Sequence, residues 1–225
     1  MTEVQRETAT DPFDRQAVRT AIIEAALPHV PFDGWTQAVL QQGAADAGYE
    51  KVMALRVFPG GAVEAIAFWS KLADRRMLEE LERRDLGAMK VRERIATAVR
   101  VRLDQNARHR EAVRRALSLL AMPLNAAQGP VLLWRTVDAI WYAAGDTATD
   151  FNYYTKRGLL AGVYSATTLY WLEDRSEGFE NTWSFLDRRI ADVMRVPQAI
   201  GSIGKRLTAF PSPLSIFRAG PFARR

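Results

Sequence analysis

The chain is 225 residues long, 48% apolar and 25% charged, a composition that supports a buried core and excludes a disordered, solvating polypeptide. It has no cysteine, which excludes a disulfide framework and any thiolate metal site. The formal net charge is +5 and most of the basic residues are arginine, whose planar fork binds phosphate oxygens in pairs; nucleic acid and anionic lipid are both candidate partners, and a GC-rich coding sequence gives the same bias.

Residues 1–12, with Glu3, Glu7 and Asp11, read as a disordered extension without the basic start and apolar core of a secretory signal. No uninterrupted apolar run reaches the roughly 18 residues of a spanning helix. After Phe13, the spacing of Val18, Ile22, Ile23, Ala26 and Leu27 predicts a helix closed by Pro28 and Pro31. Asp33-Gly34 is a turn. Thr36 is placed to cap a second helix that ends at Gly48, and a third runs toward Phe58, where Pro59-Gly60-Gly61 break it. A fourth begins near Val63 and continues toward Leu81. This layout, closing on Phe58-Pro59-Gly60, resembles a TetR-type helix-turn-helix module over residues 13–70.

A long helical pattern then spans Gly87 to Leu120 and stops at Pro123. Two more helices flank the turn at 145–150, and Glu177 to Val193 forms a further one. Residues 71–196 make a helical body. No strand-like alternation persists, so the expected fold is all-α. From Val193 onward no acidic residue occurs. Ile200, Ile203, Leu207 and Phe210 fall on one helical face with Lys205 and Arg206 beside it, so the tail at 197–225 reads as a basic amphipathic element that meets lipid headgroups.

Enzyme chemistry lacks its residues. His29 and His109 are far apart and without metal-ligand spacing. The Gly201–Lys205 region lacks the spacing of a P-loop. Asp146, Asp150, Glu173 and Asp174 lie near aromatics and suit acid–base work, or helix capping, for which Asp150 or Thr149 is well placed after Gly145. No catalytic residue and no cofactor is expected. On the candidate recognition helix, Tyr49 to Phe58, only Glu50, Lys51 and Arg56 are charged, thin provision for reading base edges.

The densest signal is AGDTATDFNYYTKR at 144–157, preceded by Trp141 and Tyr142 and followed by Leu159 to Tyr164. Half-polar aromatics crowded around one turn suit a surface that is part apolar and part wet. This pattern, with TWSFL at 182–186 and VPFDGWT at 30–36, resembles the Coq nine family of ubiquinone-biosynthesis accessory proteins, which are TetR-like and bind lipid. The resemblance implies an isoprenoid quinone lipid as ligand, the demethoxyubiquinone hydroxylase (Coq seven) as partner, and a C-terminal amphipathic helix on the membrane. It implies a partner patch on Asp150, Tyr153 and Tyr154, with Ile140 from the preceding helix; Tyr153 stands where the family commonly has Trp. Gly158, Ala161, Gly162, Ser165 and Ala166 allow room for a ligand chain or, more commonly, close helix packing; a cavity, if one forms there, is expected beside Leu160, Tyr164, Thr168 and Trp171. A homodimer on the cytoplasmic face of a bacterial inner membrane is the expected setting. The alternative function is a TetR-type ligand-responsive DNA-binding regulator.

Overall fold

The computed structural model describes the backbone of residues 14–146 and 151–207 and the side chains of 14–146 and 153–193. Among the described residues there are ten α-helices, two short 3-10 turns and no strand: α1 (Arg15–Ala26), α2 (Val30–Asp33), α3 (Gln37–Asp46), α4 (Val52–Val57), α5 (Gly61–Glu82), α6 (Val91–Asp104), α7 (Arg110–Leu120), α8 (Gln128–Ala143), α9 (Phe151–Glu173) and α10 (Glu180–Leu207). The expected extension at 1–12 lies outside the described residues.

The amino-terminal module forms as its caps and stripe dictate. Asp14 accepts hydrogen bonds from the Gln16 and Ala17 amides and starts α1; Thr36 accepts from the Val39 amide and starts α3. Val18, Ile22, Ile23 and Ala26 then bury against Val39, Leu40 and Ala44. Gly43 is required where α1 and α3 touch, because a Cβ there would stand 2.7 Å from both the Ala26 Cβ and the Ile22 carbonyl oxygen. The module does not stand apart from the body. Trp35 donates its indole N–H to the Ala112 carbonyl of α7 at 3.0 Å, its ring lies 5.3 Å from that of Trp69, and Arg115 donates to the Pro31 carbonyl. Helix α5 runs unbroken past residue 70 and contributes to both hydrophobic cores, Ile66 and Trp69 to the first, Met77 and Leu81 to the second.

The single helical pattern expected from Gly87 to Leu120 is two helices. Its apolar spacing is regular enough to read through, but the buried Asn106 donates its side-chain amide to the Arg102 carbonyl at 2.9 Å, taking a carbonyl that closes α6. The chain re-enters as α7, whose arginines cap α9: Arg110 donates to the Trp171 and Asp174 carbonyls, and Arg114 to the Leu172 carbonyl. Cations at a helix carboxyl end oppose its negative dipole pole.

The junction between α9 and α10 is built on Asp174. One carboxylate oxygen accepts from the Ser176 amide and hydroxyl at 2.8 and 2.7 Å, the other from the Thr182 amide and hydroxyl at 2.9 and 2.6 Å. Between them Gly178 and Phe179 both take positive φ, and this kink delays the last helix from the expected Glu177 to Glu180. Phe179 holds that conformation with its ring 6.0 Å from Trp171 and 6.3 Å from Trp183. The backbone of α10 then continues to Leu207, so the expected body-to-tail step at 196–197 falls inside one helix.

Burial opposes charge on Asp174, but the hydrogen bonds from Thr182 and Ser176 outweigh it and lower its pKa from 3.8 to about 2. A folded-state pKa below the unfolded value makes its stabilisation complete above about pH 4 and lost as pH falls through about 2. Asp174→Ala is expected to lower unfolding stability by about 2 kcal/mol at neutral pH. In urea titrations that gap narrows as the pH approaches 2; a gap constant over the whole range would remove the carboxylate as its cause.

Candidate functional site

Helices α5, α6, α7, α8 and α9 enclose a cavity of about 530 Å³, within the range of small-molecule sites. Its wall is mainly apolar, with Ile66, Trp69, Leu103, Leu120, Leu132 and Leu133 among the contributors. Of the residues expected near it, Tyr164, Thr168 and Trp171 line it, as does Ser165. They share one face of α9 because their spacing is close to the helical repeat. Leu160 does not line it: it is buried in the second core, one turn earlier, with Val137, Ile140 and Val163.

A polar cluster on the wall was not legible in the sequence. Arg102 of α6 donates from Nε to Asp74 of α5 at 2.8 Å and from Nη2 to the Ser70 carbonyl at 3.4 Å. Thr136 of α8 donates to the same carboxylate, 2.9 and 3.1 Å from its two oxygens. All three side chains are buried, and Arg102 and Thr136 face the cavity. Burial opposes charge on Arg102, but the phenolate that Tyr164 forms at high pH and the Asp74 carboxylate outweigh it and raise its pKa. Burial pushes the Tyr164 phenol up, Arg102 opposing in part, so it stands as a neutral hydroxyl at physiological pH. The Trp171 indole N–H, also buried at the cavity wall, makes no hydrogen bond among the described residues. The sequence hint was slight: Asp74 and Arg102 are charges on the apolar sides of their helices, within a run of charges that otherwise reads as solvated.

The second feature lies where α8 meets α9. Arg157, its side chain nearly enclosed, donates to Asp138 at 2.6 Å and to Asp146 at 3.2 Å, and its guanidinium lies 3.4 Å from the centre of the Tyr153 ring. Lys156 pairs with Asp146 at 2.8 Å, and the Tyr153 hydroxyl donates to Asp138 at 3.0 Å, which raises the Tyr153 pKa. Tyr154 stacks on Trp134 at 6.2 Å and meets Tyr153 edge-on at 5.1 Å. Tyr154 is 64% exposed and Tyr142, just before the turn, 75%. The expected surface contact from Ile140 fails: it is fully buried because it falls on the stripe of α8 that carries Val137 and Trp141. Tyr142, off that stripe, faces outward beside the turn. Asp150 lies outside the described residues.

The remaining positions are placed as follows. Ile200, Ile203, Lys205, Arg206 and Leu207 belong to the last turns of the α10 backbone, and their side chains lie outside the described residues, as does all of Phe210. The His29 ring is within hydrogen-bond distance of Asp46 at 2.6 Å, and Glu173 is ion-paired with Arg114 at 2.6 Å. No cluster of His, Asp and Glu suited to a metal ion occurs among the described residues, and no helix there is long and apolar enough to cross a membrane. On α4 the exposed face includes Val52 and Leu55 beside Lys51 and Arg56.

Fold and cavity together define an all-helical, TetR-like body with an internal apolar chamber. The TetR transcriptional regulator from Nitrosomonas europaea ATCC 19718 shares this fold with a TM-score of 0.65 at 23% identity, over 79% of this chain and 98% of that one. The family profile described as COQ9 matches residues 126–197. The chain is 35% identical to the mitochondrial ubiquinone biosynthesis protein COQ9 of Rattus norvegicus over 87% of its length, and 35% identical to that of Homo sapiens over 84%. It is 30% identical over 90% of its length to the mitochondrial protein COQ9-B of Xenopus laevis, covering 71% of that relative. It spans 64% of the rat protein and 62% of the human one. The chain belongs to the COQ9 family.

Removing one partner of the buried pair leaves the other charged and unpaired beside the cavity. Asp74→Ala is expected to cost about 3–5 kcal/mol in urea unfolding, and the double change Asp74→Leu with Arg102→Met to recover most of it. Equal stabilities for single and double variants would show that the pairing is not what the site depends on.

Proposed function

We propose that this protein is a non-catalytic, lipid-binding accessory factor of ubiquinone biosynthesis, which takes an isoprenoid quinone precursor at a membrane surface and presents it to the demethoxyubiquinone hydroxylase. The observation that carries this reading is the cavity of about 530 Å³, apolar around most of its wall, in a chain whose relatives are named for ubiquinone biosynthesis. A prenylated precursor resists leaving the bilayer by about 0.8 kcal/mol for each methylene exposed to water. An apolar chamber removes that cost for the tail. Arg102, Tyr164 and Trp171 offer donors for the ring oxygens.

The junction of α8 and α9 is the proposed docking face for the hydroxylase. Tyr142 and Tyr154 supply exposed aromatic surface, and Arg157 fixes the geometry beneath them by binding Asp138 and Asp146 together. Rigid, half-exposed aromatics backed by a buried ion network are the kind of residue that dominates binding energy at protein interfaces. The basic end of the chain meets anionic headgroups. We place the protein as a homodimer, peripheral on a bacterial inner membrane.

Mass spectrometry of lipids that co-purify from a quinone-producing host is expected to show enrichment of prenylated quinones or their precursors. Ser165→Phe, which fills the cavity from α9, is expected to abolish that enrichment while the protein still melts cooperatively. Absence of enriched lipid from the unaltered protein would turn the reading toward a ligand-responsive regulator, to be followed by a DNA-selection assay.

Tyr154→Ala is expected to weaken hydroxylase binding about tenfold or more, measured by calorimetry, with at most about 1 kcal/mol lost in stability. Unchanged affinity would remove the patch.

A further inference from the structure

Among the described residues, part of the wall of the cavity is exposed to solvent. Leu117 of α7 and Leu169 of α9 line the chamber, yet they are 39% and 60% exposed. Beside them runs the loop joining α7 to α8. Ala121, Ala126, Gly129 and Pro130 of this loop and the first turn of α8 also line the chamber. Between Ala121 and Ala126 the chain turns outward and carries Met122, 54% exposed, and Leu124, 99% exposed. A leucine with its whole side chain in water gains nothing for the fold of an isolated chain.

The loop is not loose. The Asn125 amide N–H donates to the Met122 carbonyl at 2.8 Å, its side chain donates to the Leu119 carbonyl at 3.0 Å, and the Gln128 amide closes on Asn125 at 2.9 Å. The outward position of Leu124 is therefore built by local hydrogen bonds. Charge is arranged around it in a particular way. Residues 116–134 contain no charged side chain, and the longer stretch 112–137 contains no acidic one. Its bounding cations are Arg114, Arg115 and Arg135. The first two are shared with Glu111 on α7, whereas Arg135 is exposed and makes no ion pair among the described residues. Exposed apolar tips within an uncharged zone, with cations at its border and no carboxylate inside it, complement a bilayer whose surface is anionic and whose interior excludes charge.

We infer that the α7–α8 loop is a bilayer-inserting element at the mouth of the cavity: Met122 and Leu124 enter the headgroup–acyl boundary, Arg135 meets lipid phosphate, and the exposed wall at Leu117 and Leu169 is thereby held against the membrane as the portal for an apolar ligand. This contact is separate from the basic carboxyl-terminal segment. It rests on the lipid-binding reading for what passes through the portal, but not for the insertion itself.

The chain lacks cysteine, so Leu124→Cys in the full-length protein gives a unique site for an environment-sensitive fluorophore. On addition of vesicles of phosphatidylcholine and phosphatidylglycerol, its emission is expected to shift to the blue, and doxyl groups on the upper acyl chain to quench it. In parallel, the double variant Met122→Glu, Leu124→Glu is expected to take up long-chain ubiquinone from those vesicles about tenfold more slowly or worse. Its binding of a one-prenyl-unit quinone from solution should be unchanged, which also reports an intact fold. A probe that ignores the vesicles overturns the inference. So does a shift that appears without vesicles as protein concentration rises, because a second copy of the chain then covers the loop. If the unaltered protein fails to bind the short quinone, the lipid-binding reading fails, and the probe and its quenching still decide the insertion.

Discussion

The buried contact between Arg102 and Asp74, shared with Thr136, is the constraint around which the body is arranged. It joins α5, α6 and α8, three of the five helices that bound the chamber, through a carboxylate that must keep its partners. Apolar side chains alone would favour collapse onto one another, since interior packing leaves few voids larger than water. A buried ion pair of this kind is weak as a source of net stability. Its consequence here is geometric: the guanidinium has to stay where Asp74 and the Ser70 carbonyl can reach it, and the helices that carry these groups stay apart by the width of that arrangement. The wall of the cavity thus has one fixed polar region set in an otherwise deformable apolar lining.

Helix α9 connects the chamber to the rest of the molecule. One face turns Tyr164, Thr168 and Trp171 to the cavity, while its amino-terminal end carries Tyr153, Tyr154 and Arg157 to the junction with α8. Its carboxyl end is held on two sides, by Arg110 and Arg114 from α7 and by the Asp174 cap that begins α10. Displacement of α9 would therefore act against charged contacts at both ends.

Much of the fold was legible in the sequence because its signals are local. Asp14 and Thr36 cap as their positions before apolar stripes require, and the Phe58-Pro59-Gly60-Gly61 step separates α4 from α5. Misreadings arose where a tertiary contact decided the outcome. The periodic run from Gly87 to Leu120 gave no sign of its break, which depends on Asn106 being buried where it can bond back to Arg102. The start of α10 moved because Phe179 holds a positive φ with its ring between Trp171 of α9 and Trp183 of α10. At the candidate site, the face of α9 was readable from spacing, but Leu160, expected near the cavity, packs into the second core, and Ile140, expected in the partner patch, is fully buried.

By itself the sequence determined an all-helical chain, the caps at Asp14 and Thr36 and the break at Pro59-Gly60, and membership of a family, since propensity, capping and motif spacing act over a few residues. Only the tertiary structure decided that a chamber exists between five helices, that Arg102 and Asp74 meet at its wall across 28 residues, and that Leu124 faces water beside its mouth. Those depend on which sides of separate helices face one another, and that choice is made by the packing of the whole body rather than by any one segment.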